Sequence, residues 1–217
     1  MLRFYWVNIM RKAKSEQEPV WKDGFIFLGN HLALDFLNTR PVQNGEPLEL
    51  LPDFIALLRW FQSAGLLSAR SAAILRRRWE GSHRARRAVA AIRELREKLR
   101  SEVVAWERGV AVRRSTLDRL NRLLADHPMR TRLSATRNAL SLSLWFEPQQ
   151  PADLFAPLAY SAATLFAKVD HSRVRKCGQC VLHFHDTSKK GTRRWCSMQL
   201  CGNRLKVAAY AARRRIP

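Results

Sequence analysis

All four cysteines of this chain crowd into residues 177–201, as Cys177, Cys180, Cys196 and Cys201. Two residues separate the first pair, fifteen the middle pair and four the last. Two short-spaced pairs on either side of a hairpin-length insert can bring four thiolates to one tetrahedral point, about 2.3 Å from a Zn²⁺ ion. The segment has too few apolar residues for a core of its own, so the metal supplies most of its folding free energy. Buried free thiols, a redox pair or an iron–sulfur cluster are the alternatives; the usual cluster spacings differ from these. His183 and His185 lie within the insert. Alternation in VLHFH places them on one strand face with Phe184 on the other, and four thiolates already complete a site. Both histidines are therefore expected in a polar surface role. A closed four-cysteine site leaves no position for a catalytic water, so the expected cofactor is one structural Zn²⁺ per chain.

Charge points to the partner of that module. The net charge of +21 is uneven: residues 171–217 carry 12 basic side chains and 1 acidic, whereas residues 1–69 carry 7 of each and residues 138–170 carry 1 and 3. Residues 70–137 carry 19 and 7. A field of this sign attracts polyanions, nucleic acid first among them. Membrane is the rival, but no stretch approaches the roughly 20 apolar residues of a spanning helix. The N-terminal MLRFYWVNIMRKAK has no small-residue cleavage site and reads as a frayed extension or a mis-assigned start. A cytoplasmic location follows, where thiols stay reduced and favour metal over disulfides.

The rest of the chain reads as mainly helical with a few short strands. GFIFLGNHLALDFLNTR at 24–40 suits a strand followed by a helical turn or two, and PVQNGEP at 41–47 a loop. A helix is predicted from Pro52, in its first turn, to a stop at Gly65, and a second over Ala69 to Trp79. The longest periodic segment, His83 to Arg108, aligns Ala85, Ala88, Val89, Ile92, Leu95, Leu99, Val103 and Trp106 on one stripe. Its other face holds Arg84, Arg86, Arg87, Arg93, Arg96, Lys98 and Arg100, read as solvated and partly paired with Glu94, Glu97 and Glu102. A second polyanion-binding surface is the alternative for that face. A short helix is expected after Ser115, a strand over 139–147, and an amphipathic helix from Pro151 kinked near Pro157. The natural domain cut lies near 170.

The last forty residues carry a family signature. RRWCSMQLCGNR at 193–204, preceded by FHDTSKKG at 184–191, resembles the CGNR zinc-finger family, whose naming residues are here Cys201, Gly202, Asn203 and Arg204. Phe184, Asp186 and Ser188 match its phenylalanine, aspartate and serine, and Arg193 to Met198 its Arg-Arg-Trp-Cys-Ser-Met run. The first cysteine pair is tighter than in many relatives. More loosely, LGNHLALDFLNTR at 28–40 and PADLFAPLAYSAATLF at 151–166 resemble the N-terminal domain of that family, the ABATE domain. The resemblance implies a bacterial transcription regulator, stress-responsive in kind, that binds zinc and DNA and has no enzymatic activity. It gives an α+β protein: an ABATE-like, mainly helical domain over 20–170 for sensing or oligomerisation, and a CGNR-type, treble-clef-like zinc module over 171–217 for binding DNA.

Candidate phosphate contacts are Lys189, Lys190, Arg193 and Arg194 at the hairpin tip, and Arg204, Lys206, Arg213, Arg214 and Arg215 on a helix after Cys201. Duplex DNA is favoured over RNA, because only Trp195 and Tyr210 interleave the basic residues as stacking platforms. No phosphate-binding loop, dinucleotide fingerprint, nucleophile elbow or zinc-protease helix is present, which argues against an enzyme. Asn30, His31, Asp35 and Asn38 could line a small-molecule pocket; capping and buried hydrogen bonding is the plainer reading of the same four. A homodimer through the N-terminal domain would give two zinc modules access to neighbouring half-sites.

Overall fold

The computed structural model describes residues 21–136 and 139–202. Its order is β1 (Trp21–Lys22), β2 (Phe25–Ile26), α1 (Leu32–Leu37), β3 (Val42–Gln43), β4 (Glu46–Pro47), α2 (Phe54–Ser63), α3 (Ala69–Trp79), α4 (His83–Trp106), α5 (Arg114–Asp126), β5 (Arg130–Thr136), β6 (Ala139–Trp145), α6 (Phe155–Lys168), β7 (Val174–Lys176) and β8 (His183–His185). Four two-stranded antiparallel ladders pair each odd strand with the next, and helices make the main core. The protein is α+β and mainly helical, as expected.

Local chemistry sets the helix limits. Side chains of Asp53, Ser68 and Ser82 accept the amides of Ala56, Ser71 and Ala85 and so start α2, α3 and α4. Past the ends of α2 and α4, Gly65 and Gly109 adopt left-handed φ values of 76° and 83°, open to glycine at little cost. Pro52 precedes the Asp53 cap and is thus outside the helix in which it was expected. Pro157 is the third residue of α6, where its missing N–H costs no helical bond. The expected kink is instead a 3₁₀ turn at Pro151–Leu154 leading into an unbroken helix. The loop at 41–47 is a tight hairpin, with Asn44 and Gly45 both at positive φ as a two-residue turn of this kind requires.

The eight apolar residues of the α4 stripe are all buried, and the core they join centres on Trp60. The Trp60 indole meets Phe27, Phe36 and Phe61 at centroid distances of 6.2, 5.8 and 5.4 Å. Two charged residues assigned to the solvated face of α4 are not there. Arg96 is 1% exposed, forking onto Glu49 with its two Nη atoms and donating to Thr39 Oγ1 at 2.9 Å. Glu102 is equally buried and accepts from the Arg113 side chain and amide and from Thr116 Oγ1. Each sits at the edge of the apolar stripe, where a long side chain can turn inward once its charge is paired.

The strand expected at 139–147 is β6, and it pairs with β5 in the register Leu133↔Leu142, Ala135↔Leu140. On that face Leu133, Leu140 and Leu142 remain 64%, 71% and 71% exposed. A smaller second cluster of buried residues brings Ile26 and Leu28 together with Leu182, Phe184 and three of the four cysteines. The segment before α1 thus contributes to the core of the cysteine module.

Candidate metal centre and nucleic-acid interface

β7 and β8 form an antiparallel ladder, and the turn between them is the first half of the cysteine site. The Cys177 amide donates to the Leu182 carbonyl at 2.8 Å and the Gly178 amide to the Arg194 carbonyl at 3.2 Å, which folds the knuckle under the incoming strand. The Cys196 amide points at Cys177 Sγ, 3.3 Å away. Cys201 sits on a single wide turn, Met198–Gly202, its amide donating to Ser197 O at 3.0 Å.

All four Sγ atoms lie within 4.8 Å of one another. Cys196 Sγ is 3.6 Å from both Cys180 Sγ and Cys201 Sγ. Four sulfurs at about 2.3 Å from a zinc ion have tetrahedral edges of about 3.8 Å, so this spacing fits the metal and is far beyond a disulfide bond. In the bare cluster the Cys177 thiol is driven well below its usual range by hydrogen bonds from Cys180 and Cys196. Those two are pushed up in turn, Cys180 to about 12. Sulfurs that share protons in this way can all ionise only when a cation takes the protons' place. The donor set is that of one structural Zn²⁺. The helix that a treble clef requires after the last ligand, together with Arg204, Lys206 and Arg213 to Arg215, lies outside the described residues.

The loop after β8 is held by Asp186. Its fully buried carboxylate accepts the amides of Ser188 at 2.9 Å and Arg193 at 2.8 Å. Burial opposes its ionisation, but the Ser188 and Arg193 hydrogen bonds outweigh that and hold its pKa below the usual range. Two arginines brace the loop, Arg173 just before β7 and Arg175 within it: Arg173 donates to Ser188 O at 2.7 Å and Arg175 to Gly191 O at 2.8 Å. Gly191, at φ 60°, adopts the left-handed backbone that glycine takes at little cost, and a Cβ there would displace the Arg173 guanidinium, 2.8 Å away, from its place over the loop. On this braced loop Lys189 and Lys190 are exposed, as is Arg194 beyond it.

Arg193 does not join them. Its guanidinium lies 4.7 Å over the Phe184 ring and donates to the carbonyls of Trp195 and Cys196, so it clamps the metal loop from within. The expected phosphate contact at this position is withdrawn for that reason. His183 also departs from expectation: it is 1% exposed, because β8 packs its face against α1 and not against solvent. Burial pushes its pKa down to about 4, with Arg100 and Lys176 adding to the shift. His185 is half-buried.

Asn30, His31, Asp35 and Asn38 do converge, yet they do not line an open pocket. His31, Asp35 and Asn38 are at most 1% exposed. Asp35 Oδ1 accepts the Gly29 amide at 2.8 Å, and Gly29 O in turn accepts the His185 amide at 2.8 Å. Asn30 Nδ2 donates to His185 O at 3.0 Å. The Asn38 amide makes a reciprocal pair with the His183 backbone, 2.9 Å to its carbonyl and 2.8 Å from its N–H. His31 caps α1 and approaches Ser161 of α6. Asn30, Asn38 and, through Gly29, Asp35 are struts that fasten the cysteine module to the helical core, while His31 caps α1 within that core. Sequence reasoning passed over Arg108, Arg175 and Lys176, which line a cleft of about 540 Å³ beside Arg194.

Comparison with curated proteins returned no match. Two family models do match: residues 30–169 fit ABATE, described as a putative stress-induced transcription regulator, and residues 173–214 fit the CGNR zinc finger. Both are regulator and zinc-finger types and neither is an enzyme family, and among the described residues no helix is long and apolar enough to cross a membrane. With the larger model covering well over half of its length and the second taking in all four gathered cysteines, the chain belongs to the ABATE family and carries a CGNR zinc finger.

Proposed function

We propose that the protein is a DNA-binding transcription regulator of the cytoplasm whose zinc module, residues 171–217, grips duplex phosphates while residues 20–170 carry oligomerisation. The observation that supports this most is the exposure of Lys189, Lys190 and Arg194 on a loop braced by Asp186, Arg173 and Arg175. Cations held on a rigid frame bind phosphate with little ordering cost, and their binding releases condensed counterions. The zinc ion acts at a distance from the DNA, fixing the frame.

Pairing of two chains supplies the interface that one small module lacks for a specific site. The apolar face of the β5–β6 hairpin supports it, because Leu133, Leu140 and Leu142 stand side by side and mostly exposed, an apolar surface that a second copy would cover.

The test is the salt dependence of duplex binding by the zinc-loaded full chain. With about five phosphates neutralised, log affinity falls against log salt with a slope near −4.5, and Lys189→Gln with Lys190→Gln and Arg194→Gln flattens it by about 2.7. An affinity indifferent to salt, or unchanged in the triple variant, overturns the assignment.

A further inference from the structure

Cationic side chains gather at both ends of α4. At its N-terminal end, the corner between α3 and α4 holds six arginines, Arg76, Arg77, Arg78, Arg84, Arg86 and Arg87, against one acid, Glu80. All six are exposed. Arg76 pairs with Glu80, and Arg78 and Arg84 lie 5.2 and 5.6 Å from the Trp79 ring, so the corner is fixed in shape while Arg77 and Arg87 stand outside these pairings. At the C-terminal end, Arg108 joins Arg175, Lys176 and Arg194 around the cleft beside the zinc module, with Glu107 the only acid in its wall. Between the two ends the cations are tied up in ion pairs: Glu94 pairs with Lys98 and Arg119, and Glu97 with Arg40, Arg96 and Arg100.

Length relates the two ends. α4 has 24 residues, about 36 Å at 1.5 Å per residue. Arg87 is in the second turn of α4 and Arg108 lies two residues past its last residue, Trp106, so about 28 Å of helix separates them. Ala85, Ala88, Val89, Ile92, Leu95 and Leu99 fill the buried side of α4, so Arg87 faces outward, and Arg108 is exposed beyond the helix end. Equivalent phosphates along one face of B-DNA recur at about 34–36 Å.

We infer that α4 is a spacer between two phosphate-binding patches, so that the α3–α4 corner and the zinc module contact one duplex a helical turn apart. This rests on the DNA-binding reading above and extends it: the helical domain touches DNA as well. A solvated arginine face does not need uncompensated charge at both ends.

The experiment compares the zinc-loaded full chain with its Arg77→Gln/Arg87→Gln variant on duplexes of about 8 and about 24 bp, across a salt series. Both substitutions are on exposed positions, and an unchanged melting temperature verifies the fold. Joining the two contacts on one molecule makes the longer duplex bind more than about tenfold tighter than the shorter, after allowance for binding frames. In the variant this preference collapses, and the salt slope on the longer duplex flattens by about 1.8. A preference unchanged in the variant overturns the second patch. Equal losses on both lengths, with no length preference in the parent, overturn the spacing. A parent that binds neither duplex overturns the DNA-binding reading itself, a failure distinct from the other two.

Discussion

Replacing Asn38 with alanine severs the most direct link between the helical core and the zinc module. The side-chain amide satisfies both backbone groups of His183, at 2.8 and 2.9 Å, in a setting where Asn38 and His183 are each 1% exposed. Truncation leaves one N–H and one C=O buried without partners. Each orphaned group costs about 1–3 kcal/mol, so the variant should lose about 2–6 kcal/mol, a large part of the 5–15 kcal/mol typical of a folded domain. Asn38→Asp keeps an acceptor for the His183 amide but sets a carboxylate against its carbonyl, and should lose at least as much at neutral pH. Urea unfolding of the zinc-loaded protein gives the magnitude, and hydrogen exchange at the His183 amide locates it. A loss below about 0.5 kcal/mol, with that amide still protected, refutes the strut.

Chelating the zinc, or Cys196→Ser, should raise hydrogen exchange over 177–201 and also over 25–38, because Ile26 and Leu28 lose their cover; exchange confined to the cysteine segment contradicts the shared core. Burial pushes the pKa of both His31 and His183 down to about 4 from 6.5. Below about pH 6.5 the unfolded chain takes up protons that these folded rings refuse, so stability falls from pH 6.5 toward 4 by about 1.4 kcal/mol per pH unit per ring. His31→Gln should remove one ring's share of the slope, and acid titration curves that superimpose for parent and variant would sink the idea. Arg193→Ala should weaken zinc retention with the loss of its Phe184 and carbonyl contacts, whereas Arg194→Ala should lower DNA affinity alone; competition with a chromogenic chelator separates them.

What the sequence made legible was whatever its neighbours in the chain determine. The metal centre could be read because its spacing is local, and α2, α3 and α4 because caps and left-handed glycines sit beside the apolar stripes they bound. Arg96, His183 and the Asn30–Asn38 quartet were misplaced or left open because their partners lie far away, 145 positions in the case of Asn38. Nothing in VLHFH tells which strand face meets α1. β5 escaped notice for another reason: RTRLSAT has one large apolar residue, and its alternation acquires meaning only when β6 lies opposite.

The separation of Asn38 from His183 also fixes a schedule. Residues 25–38 leave the ribosome before the strand that satisfies them, which is made 145 residues later. At about 5–20 residues per second the delay is on the order of ten seconds, during which Ile26, Leu28 and the Asn38 amide wait without their partners. A prematurely ended chain never meets them, nor does a full one that finds no metal. The segment 25–38 therefore reports on the making of the cysteine module, and a product that lacks that module or its metal leaves Ile26 and Leu28 uncovered, open to chaperones and proteases.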